Sequence, residues 1–163
     1  MIVTLQDFKN EAKIPGLKPI IGNNSDVNSA IQSEIQGFIE KYEPKYLLQF
    51  FGNSSSVDSF VEYVNLPEDE RKDEEKNTLI AIFKVTIAYF VAFYYFREKT
   101  VFNTGIGAVV PQGENGEKTN NVQRSVFIWN QMVKMTKRAF RDYFEIPICR
   151  EDDIFIFINE FGI

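Results

Sequence analysis

The chain has 163 residues and a net charge of −5, from 18 basic and 23 acidic side chains; this fits one domain and argues against free nucleic acid as the main ligand, because phosphate binding needs a basic surface. Hydrophobic residues make up 44% and aromatics 15%, with 16 Phe, which disordered chains lack; a chain this long folds without needing a metal or disulfide. Histidine is absent, which removes the usual general base and the commonest metal ligand, and Cys149 is the only cysteine, so no internal disulfide forms and a reducing context is expected.

The opening "MIVTLQDFKN" lacks the basic region and apolar stretch of a signal peptide, so cytoplasmic residence or assembly is expected. Thr4 and Asp7 have the spacing of an imperfect capping box. They predict a short helix with Leu5, Phe8 and Ala12 on one face, ended by Pro15 and Gly16. After the loop "KPIIGNNSD", Val27, Ala30, Ile31, Ile35, Phe38, Ile39 and Tyr42 recur at spacings of three and four. That is an amphipathic helix. Pro44 either breaks it or starts the next one, and "PKYLLQFFG" reads as a short apolar helix stopped at Gly52. Val57, Phe60, Val61 and Val64 mark another helix, closed by Pro67.

"EDERKDEEK", residues 68–76, is nine charges in a row. It reads as the solvated first part of a helix, with acids favoured by the N-terminal dipole, in preference to an acidic metal site. In "LIAIFKVTIAYFVAFYYF", residues 79–96, all but Lys84 and Thr86 are apolar or aromatic. As a helix it spans about 27 Å, slightly short of a bilayer core of about 30 Å. Lys84 would cost roughly 2.5–3.5 kcal/mol near the bilayer centre. A buried bundle helix is therefore favoured over a membrane span.

Residues 100–119, "TVFNTGIGAVVPQGENGEKT", form a loop too long for a plain helix connection. The turn signal at Asn115 and Gly116 suggests pairing of 108–111 with 117–119. Asn121 then caps a helix with a stripe of Val122, Val126, Trp129, Val133, Thr136, Phe140 and Tyr143, with Met132 and Ala139 beside it. Lys134, Lys137, Arg138 and Arg141 make a basic flank, read as a solvated face that complements the dipole. The apolar run 154–158 is β-prone and lies in a tail that must pair inside the domain or with another chain. The expected fold is mainly α. It is a bundle of four or five helices over 4–97 and 121–144, with a long β-like arm over 98–120 and a short C-terminal strand in the tail 145–163.

Chemical motifs are weak. "TGIGAVV" lacks the Gly-Lys-Ser/Thr of a phosphate loop, and Val110 stands where a dinucleotide fingerprint needs glycine. The carboxylates at 151–153 have no histidine near them, and Cys149 has no His partner for nucleophilic catalysis. No catalytic, cofactor or metal residues are expected.

Several stretches taken in order carry a resemblance: "VTLQDFK", "DVNSAIQSEIQGFIEKYEPKYLLQFFG", "AYFVAFYYFREKT", "FNTGIGAVVPQGENGEK" and "VQRSVFIWNQMVKM". Over about residues 2–144 the chain resembles the small helical head–tail connector (adaptor) proteins of tailed bacteriophages, and is most similar to those of podovirus-like gut phages. The resemblance implies a structural virion protein at the head–tail junction, assembled in the host cytoplasm and without a catalytic site or membrane. Its partners would be the portal protein, neighbouring copies in a ring usually of twelve, and other tail or connector proteins. DNA would pass through the channel without sequence-specific binding. The segments able to reach neighbours define an expected interface of Phe102, Asn103, Thr104, Gly105, Ile106, Gly107, Val109, Val110, Pro111 and Gly113 in the arm. In the tail it takes Ile154, Phe155, Ile156, Phe157 and Ile158, and the tail is expected to be separable from folding. The competing readings are a small membrane protein anchored by 79–96 and a metal-dependent enzyme using acidic residues.

Overall fold

Four α-helices account for most of the chain in this computed structural model, which describes residues 1–17, 26–99, 102–104, 107–109, 121–144 and 155–158. They are α1 (Asp26–Phe51), α2 (Ser54–Val64), α3 (Glu74–Lys99) and α4 (Asn121–Phe144). The protein is mainly α, as its periodicity implies. α3 lies centrally, packed along α4 and α1.

In α1, Ile35, Ile39, Tyr42, Tyr46 and Phe50 are buried at helical spacing. Pro44 neither breaks nor starts a helix: α1 runs through it. Proline lacks the N–H that would bond the Glu40 carbonyl, but Pro44 lies on the exposed side, where water can meet that carbonyl. Buried aromatics before and after it hold the helix in one piece. α1 does stop at Gly52, whose N–H donates to the Leu48 carbonyl at 2.8 Å with φ +73°. That left-handed conformation suits glycine. Asn53 then caps α2 by accepting from the Ser56 N–H at 2.8 Å.

The charged run is not one helical start. Glu68–Glu70 form a separate 3₁₀ turn and α3 begins at Glu74. Asp73 caps it, accepting from the Lys76 N–H at 3.0 Å, and this backbone hydrogen bond holds its carboxyl below the usual range. The Tyr63 hydroxyl fixes the junction, accepting from the Asp73 N–H at 2.9 Å.

From Thr86 to Phe93 every residue of α3 is buried, so the middle of the helix meets protein on all sides. α3 is long and apolar enough to cross a membrane, and 67% of its apolar stretch is buried in the fold. Lys84 is exposed. The buried stripe of α4 is Ser125, Ile128, Met132, Val133, Thr136, Ala139 and Phe140. It is rotated from the expected one, leaving Val126 and Trp129 only partly buried. Val122 and Tyr143 lie outside the residues whose side chains are described.

The N-terminal segment is not the short α-helix its spacing suggests. It makes two 3₁₀ turns, Leu5–Asp7 and Asn10–Ala12, because Asn10, where the second begins, takes φ +54° and one helix cannot continue through a left-handed residue. The segment is tied down by side chains. The buried Glu43 carboxylate accepts the backbone N–H groups of Ile2 and Val3 at 3.0 Å. Arg124 donates to the Lys13 carbonyl at 2.9 Å and its guanidinium lies 4.3 Å from the Phe96 ring centroid. Ile2, Val3, Phe8, Ala12 and Ile14 are thereby buried.

The core is aromatic. Phe83 meets Phe50 at 4.8 Å, Phe60 at 5.3 Å and Tyr46 at 5.6 Å between ring centroids, all near edge-to-face, a favoured arrangement. The Tyr46 hydroxyl lies 2.8 Å from both Thr86 and Thr136. Thr86 donates onward to the Ile82 carbonyl at 3.1 Å. Tyr46 has one proton and gives it to Thr86, so Thr136 donates to the phenol oxygen, with Met132 Sδ at 3.5 Å as its weaker alternative. Three helices share one hydrogen-bonded chain inside an apolar core.

After α3 comes a small antiparallel hairpin, β1 (Phe102–Thr104) and β2 (Gly107–Val109), in register Phe102↔Val109, Asn103↔Ala108 and Thr104↔Gly107. Ala108 and Val109 thus pair with 102–103, whereas the expected partners 117–119 lie outside the described residues, as do Gly105, Ile106, Val110, Pro111 and Gly113. α3 runs through 98 and 99, so the arm begins later than expected. The six residues of the hairpin do not establish the long β-like arm, and among the described residues of the tail, 155–158, there is no strand.

Substituting Phe83, fully buried, by Ala should cost about 3–5 kcal/mol of stability through cavity formation. Tyr46→Phe should cost about 1–3 kcal/mol by removing the middle link of the chain. Urea titrations with unchanged slope measure both, and unmoved midpoints would refute this core.

Alkaline pH offers a separate test. Burial, then the Glu11 hydrogen bond, pushes the Tyr89 phenol up to about 12, and burial pushes Tyr46 up as well. A raised folded-state value means that the stabilisation is complete below the unfolded phenol value of about 10. It is lost as pH rises from there through about 12. Melting temperature should therefore hold level from neutral pH to about pH 9 and fall above about pH 10; a flat profile above that point would contradict the buried phenols.

Candidate partner interface

Of the residues expected to reach neighbours, Phe155 to Ile158 of the tail lie on the helical body. Phe155 is 1% exposed. Its ring stacks on Tyr46 at 5.2 Å and meets Phe90 at 5.9 Å and Trp129 at 6.0 Å. The cleft it fills is built by three helices, with Tyr46 from α1, Phe90 from α3 and Trp129 from α4.

Two adjacent residues of α4 hold the backbone that follows. Trp129 Nε1 donates to the Ile156 carbonyl at 2.7 Å. The Asn130 side chain makes a reciprocal pair, donating through Nδ2 to the Ile158 carbonyl at 2.9 Å and accepting the Ile158 N–H at Oδ1 at 2.9 Å. An amide side chain presents one donor and one acceptor side by side, so it pairs with a peptide group as a strand would. The expected strand pairing is therefore replaced by side-chain pairing, and a segment satisfied this way needs no ladder.

Between the anchors, Ile156 and Phe157 point outward, 67% and 51% exposed. The Lys137 ammonium lies 5.6 Å from the Phe157 ring centroid, a cation–π distance. Phe127 on α4 is also exposed. Phe155 and Ile158 belong to the fold as much as to any interface. Ile154 lies outside the described residues, as do Cys149 and the carboxylates at 151–153.

Sequence reasoning missed Trp129 and Asn130 as tail ligands. One signal was available. Asn is a poor residue for a helix interior, and Asn130 sits deep in α4; its tail pairing accounts for that placement.

At the far end of α3, the Glu98 carboxylate accepts from the Tyr42 hydroxyl at 2.7 Å and from the Lys41 ammonium at 3.1 Å. These bonds, Tyr42 first, hold Glu98 below the usual carboxylate range. The Tyr42 ring stacks on Tyr94 at 4.1 Å, 10° from parallel. This cluster fixes the helix end from which the hairpin departs. A cleft of about 140 Å³ between α3 and α4 is lined by Leu79, Ile82 and Ala139 with Glu75, Thr78 and Asp142 around them. Among the described residues no group of three or more His, Cys, Asp or Glu side chains converges as a metal site.

Comparison of the chain with protein-family models, curated proteins and solved structures finds no significant match.

Burial of Phe155 leads to an outcome opposite to the expected separability of the tail. Deleting residues 152–163 should lower the melting temperature and not spare it. Phe155→Ala alone should cost about 3–5 kcal/mol, and Asn130→Ala about 1–3 kcal/mol by leaving backbone groups unpaired. Thermal melts of the variants read both effects, and wild-type melting of the truncated chain would disprove the anchor.

Proposed function

We propose that the protein is a structural virion component, a head–tail connector subunit that forms a ring below the portal, extends the DNA channel and joins the tail. The single observation that carries the reading is the exposed apolar pair Ile156 and Phe157, held outward on a helical body by anchors on both sides. Apolar side chains presented on a rigid support suit assembly, because little ordering entropy remains to be lost on contact. The sequence resemblance over residues 2–144 supplies the partners: portal, neighbouring copies usually numbering twelve, and other tail or connector proteins. The hairpin after α3 and the rest of 100–119 form an arm that meets a neighbouring copy or the portal. A net charge of −5 suits a channel through which DNA slides without sticking. The subunit uses no cofactor and carries out no catalysis.

Negative-stain imaging of the purified chain, alone and with the portal protein encoded nearest its gene, tests this. Rings stacked on the portal are the expected outcome, and failure to form any complex with the portal would overturn it. Rings of the lone chain are not required, since some adaptors assemble only on their portal.

One observation favours a second reading. α3 is long and apolar enough to span a membrane, so a membrane-anchored protein would use this helix. Detergent phase partitioning separates the two. The connector stays in the aqueous phase, and recovery in the detergent phase would support the anchor.

A further inference from the structure

We propose that the cleft formed by Tyr46, Phe90, Trp129 and Asn130 is a receptor for an extended Phe-x-x-Ile segment, and that in assemblies of this chain it takes residues 155–158 of a second copy. The proposal rests on the connector reading only in needing copies packed side by side.

The walls and clamp of the cleft all come from the helical body. Its aromatic walls come from α1, α3 and α4, and its polar clamp comes from two adjacent α4 side chains. The tail contributes one aromatic plug and a backbone read through Trp129 and Asn130. Such a contact is the same whether the segment arrives from its own chain or from another, which is the condition for exchange between identical subunits.

Chain length allows both closures. Trp129, which meets Phe155, lies about 23 Å back along α4 from Phe144, at 1.5 Å per residue. The chain from Phe144 to Phe155 can span at most about 40 Å. The tail therefore reaches its own cleft with roughly 17 Å of slack, which is available for reaching a neighbour's cleft. A tether this short holds the segment at an effective concentration on the millimolar scale, so dilute chains fill their own clefts. Packed copies present their tails at a comparable concentration, and the exchange then carries little cost. The outward pair Ile156 and Phe157 gives the exchanged state an additional gain. Each is more than half exposed on the single chain, and a tail lying between two bodies buries that surface.

Two experiments test the proposal. In the first, the full chain carrying Phe155→Ala is titrated with a synthetic peptide of residues 152–161. Trp129 is the only tryptophan, so its emission reports the cleft directly. Saturable change in that emission together with a rise in melting temperature is expected. A peptide with Ala in place of its Phe155 should produce neither. No response, or an equal response to both peptides, overturns the receptor.

The second experiment keeps Phe155 and so does not depend on that variant folding. Two chains, both Cys149→Ser, carry either Lys137→Cys or Phe157→Cys, positions that face each other across the tail and lie outside the anchors. They are mixed at millimolar concentration and treated with a short bis-maleimide. Covalent heterodimers are expected well beyond the twofold excess over either homodimer that random coupling of an equal mixture gives, since each chain carries one half of the pair. Absence of that excess overturns the exchange. Neither experiment uses the portal, so failure of portal binding and failure of tail exchange are read separately.

Discussion

The fold depends on one hydroxyl placed where three helices meet. Tyr46 is fully buried, and its phenol joins Thr86 of α3 and Thr136 of α4. A polar group at such depth is tolerable only if its hydrogen bonds are made, and they are made only in one mutual setting of α1, α3 and α4. Aromatic packing alone is permissive, because rings slide and tilt at modest cost. The hydroxyl chain removes that freedom and sets the depth at which Phe83, Phe50 and Phe90 surround it. The same setting creates the cleft that Phe155 fills, since Tyr46 forms one of its walls.

The chain closes on this body from both ends by one device. At the N-terminal side the Glu43 carboxylate receives two successive backbone N–H groups. At the C-terminal side the Asn130 amide takes both groups of Ile158. In each case a helix side chain satisfies extended backbone that would otherwise require a strand partner. A mostly helical body thereby fixes non-helical segments on its surface without a sheet. Segments held by a few side chains are also the ones that the proposed exchange would ask a second copy to take over.

Much of the architecture could be read along the chain. The three-and-four spacing from Ile31 to Tyr42, the continuous apolar run of α3 and the α4 stripe each dictate a helix, because burying one face or the whole surface of a helix imposes that spacing locally. Gly52 ends α1 for a local reason too, since its left-handed conformation is open to glycine. The absence of histidine and the lone Cys149 bounded the chemistry before any fold was known.

What neighbours in space decide could not be read there. Pro44 stays helical because aromatics on both sides of it are buried against α3, a long-range cost that outweighs one lost hydrogen bond. The N-terminal segment leaves its helical spacing because Glu43 and Arg124 claim its backbone from forty and more than a hundred residues away. The β-prone tail makes no strand because no sheet edge stands beside it among the described residues, whereas Asn130 and Trp129 do. Local periodicity determined the long helices. Only the tertiary structure decided where backbone hydrogen bonds end up when the partner is a side chain remote in sequence, because periodicity records burial and carries no information about which distant donor or acceptor will arrive.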